Sequence, residues 1–149
     1  MNGRSTEHGT LVIERSFPTP APRVFAAWTS VEAKSKWFGP RTQEGFELDF
    51  QIGGRERFVA EGPDGERYTY VALYHDIVKD ERIVYTYEMY LGEERISVSV
   101  ATVELAPAGE GTQLTLTEQG VFLDGHDTAA QREHGTRDLI EHLAEAVSG

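Results

Sequence analysis

One stretch carries the only long helical pattern in the chain: Thr128–Val147, with the sequence TAAQREHGTRDLIEHLAEAV. Its apolar residues recur at helical spacing, so one face of the predicted helix is apolar. These residues are Ala129, Ala130, Leu139, Ile140, Leu143, Ala144 and Val147. A helix of about 20 residues is roughly 30 Å long, enough to cross the sheet of a small domain. Asp127 or Thr128 is the predicted N-cap.

The size and composition of the chain favour one self-sufficient domain. A chain of 149 residues can bury about two thirds of its unfolded surface without the help of disulfides. We predict a flexible N-terminus over residues 1–9 and a single domain over residues 10–149. Cysteine is absent, as suits a reducing compartment. No apolar run has the length of a signal peptide or a membrane span, so we expect a cytoplasmic protein.

The charge of the chain argues against one class of partner. The formal net charge is −11 at pH 7, whereas a nucleic-acid-binding surface must be basic to meet the phosphates. The simplest role of the excess acid is solubility, and binding of a basic partner is the less favoured alternative.

Upstream of the helix, alternating apolar and polar residues predict an antiparallel sheet. Turn signals such as Gly53-Gly54, Asp64-Gly65 and Gly92-Glu93 separate the strands. The predicted strands are Thr10–Phe17, Glu44–Gln51, Glu56–Glu61, Tyr68–Val78, Ile83–Tyr90, Arg95–Leu105 and Gln113–Phe122. The last six form a meander, and the first strand is expected at an edge of the sheet.

Two short helices are predicted between the first and second strands. Pro22 suits a first helical turn, and Val24, Phe25, Ala27 and Trp28 follow at helical spacing. A second piece, 31–37, ends before Gly39-Pro40. The predicted fold is therefore α+β: a curved antiparallel seven-stranded sheet that grips the long C-terminal helix, with a cavity between them.

Four segments of this pattern resemble a known family. They are VFAAWT (24–29), WFGP (37–40), DFQIGG (49–54) and ERIVYT (81–86). In order and spacing they are similar to the helix-grip superfamily of START and Bet v 1 type. Within it, the chain most resembles the activator of Hsp90 ATPase homologue-like branch, over roughly residues 10–147.

The resemblance implies a hydrophobic cavity between sheet and helix, and we predict no cofactor. The superfamily includes lipid and polyketide carriers, aromatase-cyclases, antibiotic-resistance proteins and a co-chaperone domain, so the fold alone leaves the function open. Two differences stand out. Relatives often carry Gly-Trp in the final helix where this chain has Gly135-Thr136, which we expect to leave room in the cavity roof. The activator itself carries a separate N-terminal Hsp90-binding domain, whereas the 149 residues here are filled by the one predicted domain.

The ligand-binding lining is predicted to combine aromatic rings with a few other side chains. The predicted residues are Trp37, Phe38, Phe58, Tyr70, Tyr74, Tyr85, Tyr87, Glu118, Thr136 and Ile140. Tyrosines suit flat or polyketide-like ligands because each ring offers apolar area and a polar tip, although they suit plain core packing as well. A single core is predicted for Trp28, Phe58, Leu114, Leu116, Leu139, Ile140 and Leu143.

Glu118 is the one candidate for acid–base chemistry. It alternates with Leu114 and Leu116 in the last strand, so it faces the core if the leucines do. Either it lies near the strand end, where it reaches solvent or pairs with an arginine, or it is a cavity carboxylate with a raised pKa. In the second case it could anchor a polar ligand group or transfer protons.

Other chemistry finds little support in the sequence. His134 and His142 lie eight residues apart on the final helix, His75 is predicted to face outward, and His126 lies in a loop, so we predict no metal site. There is no cysteine nucleophile, no serine elbow and no phosphate or dinucleotide loop.

Three functions remain as hypotheses. The leading one is binding of a small hydrophobic or aromatic molecule in the cavity. The alternatives are a cyclase- or hydrolase-type enzyme that uses Glu118, and a module that interacts with the chaperone Hsp90. A small or purely aliphatic cavity would favour the interaction module.

Overall fold

The computed structural model describes residues 3–38 and 44–148. Within them lies one seven-stranded antiparallel sheet of order β1-β7-β6-β5-β4-β3-β2. The strands are β1 (Thr6–Phe17), β2 (Glu44–Leu48), β3 (Arg55–Glu61), β4 (Arg67–Val78), β5 (Arg82–Leu91), β6 (Glu94–Ala108) and β7 (Gly111–Leu123). The helices are α1 (Ala21–Ala26), α2 (Val31–Lys34) and α3 (Ala129–Val147). The predicted fold class, with its six-stranded meander and its first strand at an edge, is confirmed.

Two element boundaries differ from the prediction. β1 begins at Thr6 rather than Thr10, and Thr6 pairs with Leu123 of β7. The backbone N–H of Ser5 also donates to Oδ1 of Asp124, at 2.9 Å. The polar start of β1 joins the sheet because β7 is long enough to pair with it. Part of the segment predicted to be flexible is therefore ordered. The second helix ends at Lys34, and residues 35–37 continue as turns.

The predicted turn at Gly53-Gly54 is confirmed as a geometric feature between β2 and β3. Gly53 has φ of +85°, where residues with a side chain are strained. A Cβ on Gly54 would lie 2.0 Å from the backbone oxygen of Asp49, so only glycine fits there. Gly39 and Pro40, the predicted stop after the second helix, lie outside the described residues.

Helix α3 packs most of its predicted apolar face on the sheet, although Ala130, near its start, is exposed. Thr128 is the N-cap, and its Oγ1 accepts a hydrogen bond from the backbone N–H of Gln131 at 3.1 Å. The helix buries Thr136, Ile140, Leu143 and Val147. The predicted core is confirmed: six of its seven residues are buried, and Leu139 is partly buried against them.

Candidate functional site

A cavity of about 400 Å³ lies between the sheet and α3. Its walls come from the segment after α1, the segment after α2, strands β3 to β7, the loop before α3 and α3 itself as far as Ile140. The lining residues are Trp28, Trp37, Phe38, Phe58, Ala60, Glu61, Tyr68, Tyr70, Tyr85, Tyr87, Met89, Val103, Leu116, Glu118, Asp127, Gln131, Arg132, Gly135, Thr136, Leu139 and Ile140. Most of these side chains are apolar or aromatic, as in small-molecule sites.

Nine of the ten residues predicted to contact a ligand border this cavity. The exception is Tyr74, which is fully buried elsewhere and does not line it. Alternation in β4 places Tyr74 on the same face as Tyr70, but the cavity does not extend that far along the strand. Whether the nine lining residues bind a ligand stays a prediction.

Tyr70 lies at the centre of the aromatic wall. Its ring stacks on Phe58 with centroids 5.2 Å apart, and Phe38 meets it edge-on at 5.1 Å. Tyr87 contacts its other side at 5.1 Å. Such pairs hold one another in place, so the aromatic wall is preformed.

The predicted roof position is formed by two successive residues of α3. Thr136 is buried and its Oγ1 donates to the backbone oxygen of Arg132 at 2.8 Å, within the helix. Gly135 is exposed, and a Cβ added there would meet no atom within 4 Å. Both residues border the cavity, so a larger side chain at position 136 would reduce its volume.

One end of the cavity is polar. The Tyr87 hydroxyl donates to Oε1 of Glu118 at 2.6 Å, and Nη1 of Arg132 donates to that hydroxyl at 2.9 Å. Nη2 of Arg132 donates to Oγ of Ser97 and to Oδ2 of Asp127, both at 2.9 Å. The arrangement is a hydrogen-bonded chain from Arg132 through Tyr87 to Glu118.

Arg132 was not singled out from the sequence. It lies four residues before Thr136 and eight before Ile140, so helical spacing places all three on one face. The signal was therefore available. It was missed because an arginine on a helix is most often solvated.

Glu118 occupies the second of its two predicted environments. Its side chain is only 5% exposed, it borders the cavity, and its direct partner is Tyr87 rather than an arginine. Burial raises the pKa of the Glu118 carboxyl above its ordinary value of 4.5, although the Tyr87 hydrogen bond and the Arg132 charge act in the opposite direction. Burial likewise raises the pKa of the Tyr87 phenol.

Glu118→Gln is expected to stabilise the protein more at pH 7 than at pH 4. A carboxyl whose pKa is raised by folding binds protons more readily in the folded state, so it lowers stability as the pH rises above 4.5. Glutamine keeps the shape and accepts from Tyr87 but never ionises. Urea unfolding of both proteins at the two pH values measures the difference. An equal change in the free energy of unfolding at both pH values would contradict the prediction.

Tyr74 belongs to a buried ion pair beside the cavity. Nζ of Lys34 lies 2.7 Å from Oε1 of Glu56, and both side chains are fully buried. The Tyr74 hydroxyl donates to the same oxygen at 2.5 Å. Lys34 also lies over the ring of Phe38, with Nζ 4.2 Å from the centroid. The pair thus fastens α2 to strand β3 and supports a cavity wall.

The histidines lie away from the cavity lining. His75 is exposed as predicted, and its Nε2 lies 2.9 Å from Oγ1 of Thr86. His126, in the loop after β7, contacts Glu94 at the start of β6. Across residues 3–38 and 44–148, no group of three acidic or histidine side chains is placed to hold a metal ion.

The sheet, the long helix over it and the cavity between them define a helix-grip fold of Bet v 1 type. The chain belongs to the activator of Hsp90 ATPase homolog 1-like family, whose model matches residues 18–148. The family resemblance found in the sequence is thereby confirmed. A comparison with curated protein sequences found no match.

Solved structures are similar in sequence as well as in fold. A protein from Rhizobium leguminosarum is 44% identical over 97% of each chain, with a TM-score of 0.91. The Mll3558 protein from Rhizobium loti is 42% identical over 95% of this chain and 99% of its own, with a TM-score of 0.89. Ara h 8.0201 shares the fold alone, at 15% identity over 95% of this chain and 98% of its own and a TM-score of 0.71.

Each described helix is too short or too polar to cross a bilayer.

Proposed function

We propose that the protein binds one small hydrophobic or aromatic molecule in the cavity between the sheet and α3. The observation that supports this is the cavity itself, of about 400 Å³ with an aromatic wall and one polar end. Small-molecule sites have volumes of about 300–1,000 Å³ and combine apolar lining with a few placed polar groups. An interaction module acting on Hsp90 would need no such cavity. The size and lining of the cavity therefore favour ligand binding.

Glu118 is proposed to anchor the polar end of the ligand. It lies at the boundary between the apolar lining and the Arg132–Tyr87 chain, where a mostly apolar molecule would place its one polar group. Acid–base catalysis would need a second group that exchanges protons near neutral pH. Along the hydrogen-bonded chain to Glu118, Tyr87 is a poor candidate because burial raises the pKa of its phenol, and arginine stays protonated. Asp127 borders the cavity too, but it is paired with Arg132. The cavity therefore supports binding better than an enzyme of cyclase or hydrolase type.

Native mass spectrometry of the protein purified from its source cells tests the proposal directly. We expect a species heavier than the 16.6 kDa chain by the mass of one small molecule. Release of that molecule under denaturing conditions would identify it. If instead the added mass belongs to a protein partner and no small molecule is bound, the interaction module becomes the better explanation.

Thr136→Trp is expected to lower ligand occupancy by about tenfold or more, because the indole would occupy volume at the cavity roof. His134→Trp is the matched control, since His134 is exposed on the same helix. Native mass spectrometry of both variants measures occupancy, and thermal unfolding checks that each is folded. A folded Thr136→Trp protein that retains full occupancy would place the ligand elsewhere.

A further inference from the structure

Acidic side chains outnumber basic ones in the cavity lining. Among the described residues, the lining contains the acids Glu61, Glu118 and Asp127 but only one base, Arg132. Nη2 of Arg132 lies 2.9 Å from Oδ2 of Asp127, so its charge is already paired. An anionic ligand would enter a lining that is acidic on balance.

Glu118 has hydrogen-bonding capacity left over. Its Oε1 accepts from Tyr87, but no described residue donates to Oε2. A buried carboxylate without a cation of its own is costly, as the raised pKa of Glu118 also indicates. A ligand that brings a positive charge to Oε2 would remove that cost.

The remaining walls suit a cation as well. Trp28, Trp37, Phe38 and Phe58 border the cavity, and aromatic faces attract positive charge. The protein already uses this interaction beside the cavity, where the Arg132 guanidinium lies 5.0 Å from the centroid of Phe122.

We infer that the ligand is a hydrophobic amine whose protonated nitrogen binds Oε2 of Glu118 and whose apolar body fills the aromatic cavity. The inference rests on the proposed function and narrows it to one chemical class. A carboxylic acid would place a second negative charge beside Glu118. An alcohol would gain only a neutral hydrogen bond, which is weaker than one between charged groups.

Three probes with the same body test the inference: 2-naphthylmethylamine, 2-naphthalenemethanol and 2-naphthoic acid, titrated calorimetrically at pH 7 and low salt. We expect the amine to bind wild-type protein about tenfold more tightly than the alcohol, because its hydrogen bond is charge-assisted, and the acid to bind most weakly. In Glu118→Gln the amine should lose about tenfold in affinity and the alcohol less than about threefold. Thr136→Trp should weaken all three.

The other outcomes separate the two proposals. If the acid binds most tightly, if amine and alcohol bind equally, or if Glu118→Gln leaves amine binding unchanged, the inference is wrong while ligand binding in the cavity stands. If none of the three probes binds the wild-type protein, both the inference and the proposed site for aromatic molecules are contradicted.

Discussion

Truncation of Leu143 to alanine is expected to lower the free energy of unfolding by about 2–5 kcal/mol. Leu143 is fully buried on the face of α3 that packs against the core. The loss combines the transfer energy of the deleted methyl groups with a cavity that the rigid sheet cannot close. Among single apolar truncations on α3 we expect this one to be among the costliest.

Denaturant unfolding measures the loss, and Val12→Ala is the control. Val12 is 47% exposed on the outer face of β1, so its truncation should cost less than about 0.5 kcal/mol. The denaturant dependence of both variants should match that of the wild type. A loss below about 0.5 kcal/mol for Leu143→Ala would show that α3 does not depend on this side chain for its packing.

The fold was predictable because its signals are local. Alternation such as Leu114 and Leu116 in β7 reports a strand with one buried face, and pairs such as Asp64-Gly65 mark the hairpins. Gly65 indeed has φ of +81°. With six strands joined by short turns, the meander leaves few other pairings. The sheet then has one apolar face, and the final helix covers it.

The start of β1 was not predictable in this way. Residues 6–9 have the sequence TEHG, which shows no alternation of apolar and polar residues. Their strand conformation depends on pairing with β7, more than a hundred residues away, as in the pair of Thr6 with Leu123. Local sequence does not contain that information.

The cavity was predictable in part. Alternation placed Glu118 on the buried face of β7, and the structure confirms that orientation. It did not indicate which polar groups would meet the carboxyl, because Tyr87 and Arg132 come from other elements. Alternation also does not indicate how far the cavity extends along a strand. Tyr74 was therefore predicted to contact a ligand, although it does not line the cavity.

The buried ion pair was missed although its pattern was present. Glu56 alternates with Phe58 and Ala60 in β3, so period two places it on the buried face. Lys34 lies three residues before Trp37 on the segment that packs against that face. Neither residue is predicted to be buried, because fully buried lysine and glutamate are rare unless paired. The partner that makes burial tolerable lies 22 residues away in the chain.

Lys34→Met is expected to cost about 3–5 kcal/mol of unfolding free energy, because it leaves the buried Glu56 carboxyl without its cation. Burial lowers the pKa of Lys34, whereas the Glu56 charge raises it, so each partner tolerates burial through the other. Methionine retains much of the lysine stem, which limits the loss of packing.

The double variant Lys34→Met with Glu56→Gln decides whether the pairing is the cause. Glutamine accepts from Tyr74 and carries no charge, so the double variant should be more stable than the sum of the single losses predicts, by at least about 2 kcal/mol. The exposed pair of Arg15 with Glu141, at 2.8 Å, is the control, and Arg15→Met should cost no more than about 1 kcal/mol. Simple additivity in the double variant would show that lost packing around Lys34, rather than the unpaired charge, accounts for the destabilisation.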